Sequence, residues 1–222
     1  MNMARIITVK GIGKASAKPD YVVLSMSLEA QNMNYEKAMD QATTQLEQLR
    51  NSLAGIGFEK DSVKTTNFNV RTSHDRVKDK NGNYQSIFNG YIVSHALKVE
   101  FDFDSKRLAN ALSTVATCLA NPQLTIAFTV KDATDINEKM LRTATENAKR
   151  KAEILCEASN VKMGQLLSID YNWGELSIYS NTRYDMTEDC MAMMAMSESS
   201  IDIEPDDIDI TDTVTVVWAL KD

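Results

Sequence analysis

The chain has 222 residues, 43% of them apolar, and a formal net charge of −7 at pH 7. That is enough apolar material for one large domain or two small ones with a real core. Thirteen acidic residues lie between Asp170 and Asp222 against only Arg183 and Lys221. This acidic C-terminal part argues against nucleic acid and anionic membrane surfaces as partners, because both need clustered Lys and Arg.

No run approaches the roughly 20 apolar residues of a membrane span. The opening MNMARIITVKGIGK lacks the apolar stretch and cleavage site of a secretory signal. The sequence as it stands is therefore expected in the cytoplasm, or in the periplasm or envelope if a leader has been removed. Cys118, Cys156 and Cys190 are odd in number and widely spaced, so they imply no disulfide framework.

In chain order, Ile6 to Ala17 is the first strand segment. Its Gly11-Ile12-Gly13 lacks the third glycine and the immediate helix of a dinucleotide fingerprint, which leaves a bent or bulged strand. Val22, Leu24, Met26, Leu28 and Ala30 alternate as a half-buried strand. Tyr35, Ala38, Met39, Ala42, Leu46, Leu49 and Leu53 then trace an amphipathic helix stopped by Gly55 and Gly57.

VKTTNFNVRTS reads as a strand with Phe68 and Val70 inward, and Asn81-Gly82 marks a hairpin turn. The long return strand sets Tyr91, Val93, His95, Leu97, Val99, Phe101 and Phe103 on one face. A helix follows, capped by Asp104 or Ser105, with the stripe Leu108, Ala111, Leu112, Val115 and Leu119, and ended by Asn121-Pro122. Leu124, Ile126, Phe128 and Val130 alternate next. The order is the βαββαβ of a ferredoxin-like unit, about residues 20–131, with two helices on one face of an antiparallel sheet.

A third helix is expected over about 133–160, with Asp135 and Glu138 as a capping box and Met140, Ala144, Ala148, Ala152 and Leu155 as its small apolar line. Lys149-Arg150-Lys151 on it reads as a solvated surface. Gly164 opens a strand through Leu167, Ile169, Tyr171 and Trp173. Residues 177–206 show neither period and read as a surface insertion. Ile208, Ile210, Val214, Val216, Trp218 and Leu220 form a last strand, expected to pair near the N-terminal one. The reading is a single α+β domain over residues 1–222.

No reaction chemistry emerges. His74 and His95 are the only histidines, on different strands and outside any ligand-spaced pair, and His95 reads as a satisfied half-buried imidazole. No nucleophile elbow is present, and the acids of IDIEPDDIDITD do not follow a calcium-loop spacing. The protein is expected to be no enzyme, with no catalytic, cofactor-binding or metal residues. Of the chain's 12 methionines, five fall between Met186 and Met196, beside Cys190. Thioether and thiolate ligands would suit Cu(I), but the leading reading is a contact between subunits through Met191, Met193, Met194 and Met196, with a loosely ordered loop next.

Taken together, Ile7-Thr-Val-x-Gly-x-Gly13, Lys18-Pro19-Asp20, Lys64-Thr-x-Asn67-Phe68-x-Val70, Gly90-Tyr91, the Ala/Lys-rich Ala144 to Leu155, Gly164-x-Leu166-Leu167-Ser168-Ile169 and Ile203-Glu204-Pro205 resemble, in this order, the SIMPL-domain (YggE-like) family. The resemblance runs from about Ile6 to Leu220. It implies an α+β fold, large ring- or channel-like homo-oligomers, envelope residence with links to oxidative-stress tolerance in bacterial relatives, and a kinase-associated adaptor role in a mammalian one. It supplies no catalytic residues. The sequence as it stands is expected to depart from the family in lacking the leader of envelope members unless one has been removed, in its acidic, methionine-rich segment, and in Asp206 where relatives commonly have Gly. The expected function is a self-associating protein, with a protein-binding adaptor and a Cu(I) or thiol-redox buffer as alternatives.

Overall fold

The computed structural model of the chain describes residues 5–78, 83–171, 176–186 and 203–221. Alternating segments become strands and 3.6-period segments become helices, in the order β1 (Ile6–Ala17), β2 (Tyr21–Asn32), α1 (Tyr35–Gly55), β3 (Lys64–Lys78), β4 (Tyr84–Asp102), α2 (Ser105–Ala116), β5 (Gln123–Thr129), α3 (Thr134–Ala158), β6 (Lys162–Tyr171), β7 (Tyr179–Met186) and β8 (Ile208–Lys221). The chain falls into two compact units.

The unit built on Tyr21–Phe128 is the expected ferredoxin-like arrangement, with strand order β3-β4-β2-β5-β7. β4 pairs antiparallel with both β2 and β3. Val22, Leu24, Met26 and Leu28 meet Leu97, Val99 and Phe101 in a core closed by Leu49 and Leu53 of α1 and Leu108, Leu112 and Val115 of α2. Both helices start on a side-chain cap: Asn34 accepts from the Lys37 N–H at 3.2 Å and Asp104 from the Arg107 N–H at 2.7 Å. The Arg107 guanidinium lies 4.6 Å from the Phe58 ring and 5.1 Å from Phe101, a cation–π clamp over the core edge.

The second unit is a three-stranded sheet, order β1-β8-β6, with α3 packed on it. β1 and β8 run antiparallel from Ile6↔Ala219 to Ala17↔Ile208, so the two ends of the chain pair as expected. Val9, Val214, Val216 and Trp218 face Ala144, Ala148 and Ala152 of α3.

Several local expectations are corrected. β1 keeps unbroken register through Gly11 and Gly13, so these glycines make no bulge. α3 starts ahead of Asp135, which falls in its first turn. The N-cap is Ala133, without a side-chain cap, and Asp132 just before it accepts from the Thr134 N–H at 2.9 Å. Leu155 is half exposed while Cys156, one residue on, is buried. α2 stops at Ala116, where the Thr117 hydroxyl bonds to the Ser113 carbonyl at 3.0 Å, and Leu119 is exposed beyond it. Phe68 is exposed rather than inward. Part of the segment read as an insertion forms β7, with Ile178 and Ser180 buried beside or within it. Its polar sequence hid it, because what holds Ser180 is a hydrogen bond from its hydroxyl to the Asp206 carbonyl at 2.7 Å. Asp206 is not among the described non-glycine residues with positive φ, which are Asn121 and Asn160. Replacing the family's glycine there therefore imposes no left-handed strain.

Candidate functional site

An edge strand exposes a row of unpaired N–H and C=O groups that can template pairing with another chain. The two edges of the β1-β8-β6 sheet are treated differently. At β1, Asn147 Oδ1 accepts from the Ile12 N–H at 3.0 Å, Thr143 Oγ1 from the Lys14 N–H at 3.1 Å, and Lys151 Nζ donates to the Lys10 carbonyl at 3.1 Å. Four residues along a helix advance about 6 Å and two along a strand about 6.6 Å. A polar residue every fourth position on α3 thus matches every second position on β1. The match requires α3 to lie against the β1 backbone. A Cβ on Gly11 would stand 2.1 Å from the Ala144 carbonyl oxygen, and one on Gly13 2.1 Å from that of Met140. The Gly-x-Gly motif and the alanine line are therefore two halves of one contact, which closes the β1 edge with side chains.

The opposite edge, β6, has no such cover among the described residues. Leu166 is 50% exposed, Leu167 46% and Ile169 52%. Met163, Leu166, Ile169 and Tyr171 are register partners of Leu220, Trp218, Val216 and Val214, and so share the face on which α3 lies. Lys162, Ser168 and Asp170 pair with Lys221, Val217 and Thr215 and point to the other face. One register shift lies on each side of Leu166. Burial, and then the Asp212 carboxylate, push the Tyr171 hydroxyl above the usual phenol range.

A second exposed surface belongs to the ferredoxin-like unit. Beyond α1, the β3–β4 hairpin carries Tyr91, Phe88 and His74 in edge contact, at 5.3 Å and 5.7 Å. Arg76 and Lys78 lie over the Tyr84 ring at 5.7 Å and 5.2 Å. Gly90, at φ 101°, makes the turn of backbone that keeps Tyr91 and Phe88 on one face. A Cβ there would meet the Asn32 carbonyl at 2.6 Å. His95 is buried, with Nε2 2.8 Å from Thr65 Oγ1 and the Phe68 ring edge-on at 5.2 Å. Burial first, and the Arg50 charge second, hold its pKa below the ordinary imidazole value. The sequence suggested a satisfied half-buried imidazole; the ring is satisfied, and buried more fully than that.

Met191, Met193, Met194 and Met196, with Cys190, lie outside the described residues, as do Asn81, Gly82 and Trp173. Among the described residues no group of three or more His, Cys, Asp or Glu is placed to hold a metal ion. An open cleft of about 440 Å³ between β2 and α1 is lined by Glu29, Gln31, Asp40, Gln41, Thr44 and Gln45. Its Glu29 is already engaged by Arg71 at 3.4 Å and Ser94 at 2.9 Å. Sequence reasoning missed Thr143, Asn147 and Lys151. The signal was present as polar residues at fourfold spacing beside the alanine line, and Lys151 was read as solvated.

The sequence profile of the SIMPL family, described as protein of unknown function (DUF541), matches residues 7–218. The chain is similar to the 26 kDa periplasmic immunogenic protein of Brucella melitensis biotype 1, at 25% identity over 73% of this chain and 65% of that protein. It is similar at 24% identity, with the same coverage, to the protein of the same name from Brucella abortus strain S19. The match thus spans less than two thirds of these relatives' length. No helix of the described residues is long and apolar enough to cross a membrane.

Proposed function

This chain belongs to the SIMPL family (DUF541), and from that premise we propose that it is a non-enzymatic, self-associating protein of the cell envelope. The observation that carries the reading is the asymmetry of the small sheet. One edge is closed by α3, while at the other β6 exposes Leu166, Leu167 and Ile169 and pairs, among the described residues, with β8 alone. A sheet edge of that kind is costly to leave in water and is normally covered by another chain or blunted. The periplasmic naming of the relatives supports envelope residence. Met191, Met193, Met194 and Met196 supply a further contact between copies. They are also reversibly oxidisable side chains, which gives a link to oxidative-stress tolerance a chemical basis.

The exposed aromatic and cationic face of the β3–β4 hairpin favours a second reading, an adaptor that binds another protein through this arm. Light scattering over a hundredfold concentration range separates the two. Self-association predicts a defined multiple of the monomer mass. A monomer at every concentration refutes it and leaves the adaptor.

A further inference from the structure

Resting on the self-association reading, we infer that two copies join antiparallel along β6, with Leu166 of one copy opposite Leu166 of the other. In this register Lys162 faces Asp170 of the second copy and Met163 faces Ile169. A two-fold axis makes every contact occur twice. Three features of β6 select it.

The first is charge. Lys162 and Asp170 are the two charged residues of the strand, both exposed, at its first and second-to-last positions. Only the register centred on Leu166 sets each opposite its complement; opposite charges directly across a strand pair attract, whereas like charges repel. The second is facing. Lys162 and Asp170 both point away from the α3 side, while Met163, Leu166 and Ile169 all point toward it. A slip of one residue would set Lys162 opposite Ile169 or Tyr171, an outward side chain against an inward one. The third is the backbone. β6 carries one irregularity between Met163 and Leu166 and another between Leu166 and Ser168. A two-fold axis at Leu166 lays the first against the second, so neither strand has to straighten.

The product is a continuous six-stranded sheet, β1-β8-β6 followed by β6-β8-β1. Its outer edges are the two β1 strands that α3 already seals, so pairing ends at two copies along this direction. On the α3 side, a row of Met163, Leu166 and Ile169 from each copy forms, burying the Leu166 and Ile169 side chains that stand about half exposed in one copy.

The test uses the full chain with Lys162→Glu and Asp170→Lys prepared separately, each confirmed folded by circular dichroism, and follows association by analytical ultracentrifugation. Each variant alone places two like-charge pairs across the axis and is expected to weaken pairing at least tenfold. An equimolar mixture restores two opposite-charge pairs and is expected to associate within about threefold of the unaltered protein. In a Cys190→Ser background, Leu166→Cys is expected to give a covalent dimer under mild oxidation, because residues directly opposite have Cβ atoms about 4.5–5.5 Å apart; Ile12→Cys on the sealed edge strand is not. If the unaltered protein is a monomer throughout, self-association itself fails. If it associates but the single variants pair as tightly, or the mixture stays as weak as its parts, the β6 register is overturned while self-association stands.

Discussion

Replacing Gly11 by Ala tests how the β1 edge is closed. The new Cβ would lie 2.1 Å from the Ala144 carbonyl oxygen, 2.7 Å from the Ala148 Cβ and 2.8 Å from the Ala148 nitrogen. Two of these are backbone atoms of a long helix, so no side-chain rotation relieves the overlap. To reach ordinary contact α3 must retreat by about 1 Å. Overpacking of this kind costs roughly 1–3 kcal/mol. The retreat also stretches the bonds from Asn147 to Ile12 and Thr143 to Lys14, which start at 3.0 Å and 3.1 Å, each worth about 1 kcal/mol. The expected loss is about 3–5 kcal/mol. Trp218 is buried in the core of this unit, so urea unfolding followed by tryptophan fluorescence reports on it. Gly55→Ala is the control: nothing lies within 4 Å of its Cβ position, and it should leave stability unchanged or slightly raised. A Gly11→Ala midpoint equal to that of the control would refute the close-packing argument.

Other outcomes follow from the same geometry. The pKa of His95 is depressed by burial, so the stability it contributes is complete above the unfolded value of about 6.5 and is lost as pH falls toward the folded value. Urea midpoints at pH 7.5 and pH 5 should show that loss, and His95→Gln should remove this part of it. Arg107→Ala, which deletes the guanidinium over Phe58 and Phe101, should cost about 1 kcal/mol in equilibrium unfolding. Met140→Ala empties a fully buried position under β1 and should cost roughly 2–5 kcal/mol by the same assay. Deleting Asp189 to Ser200 should lower the assembly mass in light scattering with the circular dichroism unchanged, and adding Cu(I) or reductant should leave the mass of the intact protein where it was.

Much of the architecture was readable from periodicity. The alternation of Val22 to Ala30, Tyr91 to Phe103 and Ile208 to Leu220 survives as buried faces, because a half-buried strand leaves a period of two in any sequence. The second helix starts on Asp104, one of the two caps the sequence offers for it. What failed depends on the third dimension. Phe68 alternates like a core residue but stands about half exposed, with the His95 ring against its edge. Gly11 and Gly13 were read as a defect in a strand because their partner, the Ala144–Ala148 stretch, is more than 130 residues away. β7 escaped notice because its sequence YSNTRYDM carries no apolar alternation, although it joins the sheet beside β5. The candidate surface itself was half legible: the apolar run Leu166, Leu167 and Ile169 is plain in sequence, whereas its exposure follows from α3 lying over β1 on the far side of β8.

The most direct measurement is amide hydrogen exchange of β6, residue by residue, in concentrated and in highly diluted protein. If copies meet along this edge, the amides of Lys162–Tyr171 that do not bond to β8 exchange markedly more slowly in the concentrated sample, while those of β1, already held by α3, exchange alike in both. Equal β6 exchange in two samples of different assembly mass would contradict the account, because the copies would then be meeting somewhere else.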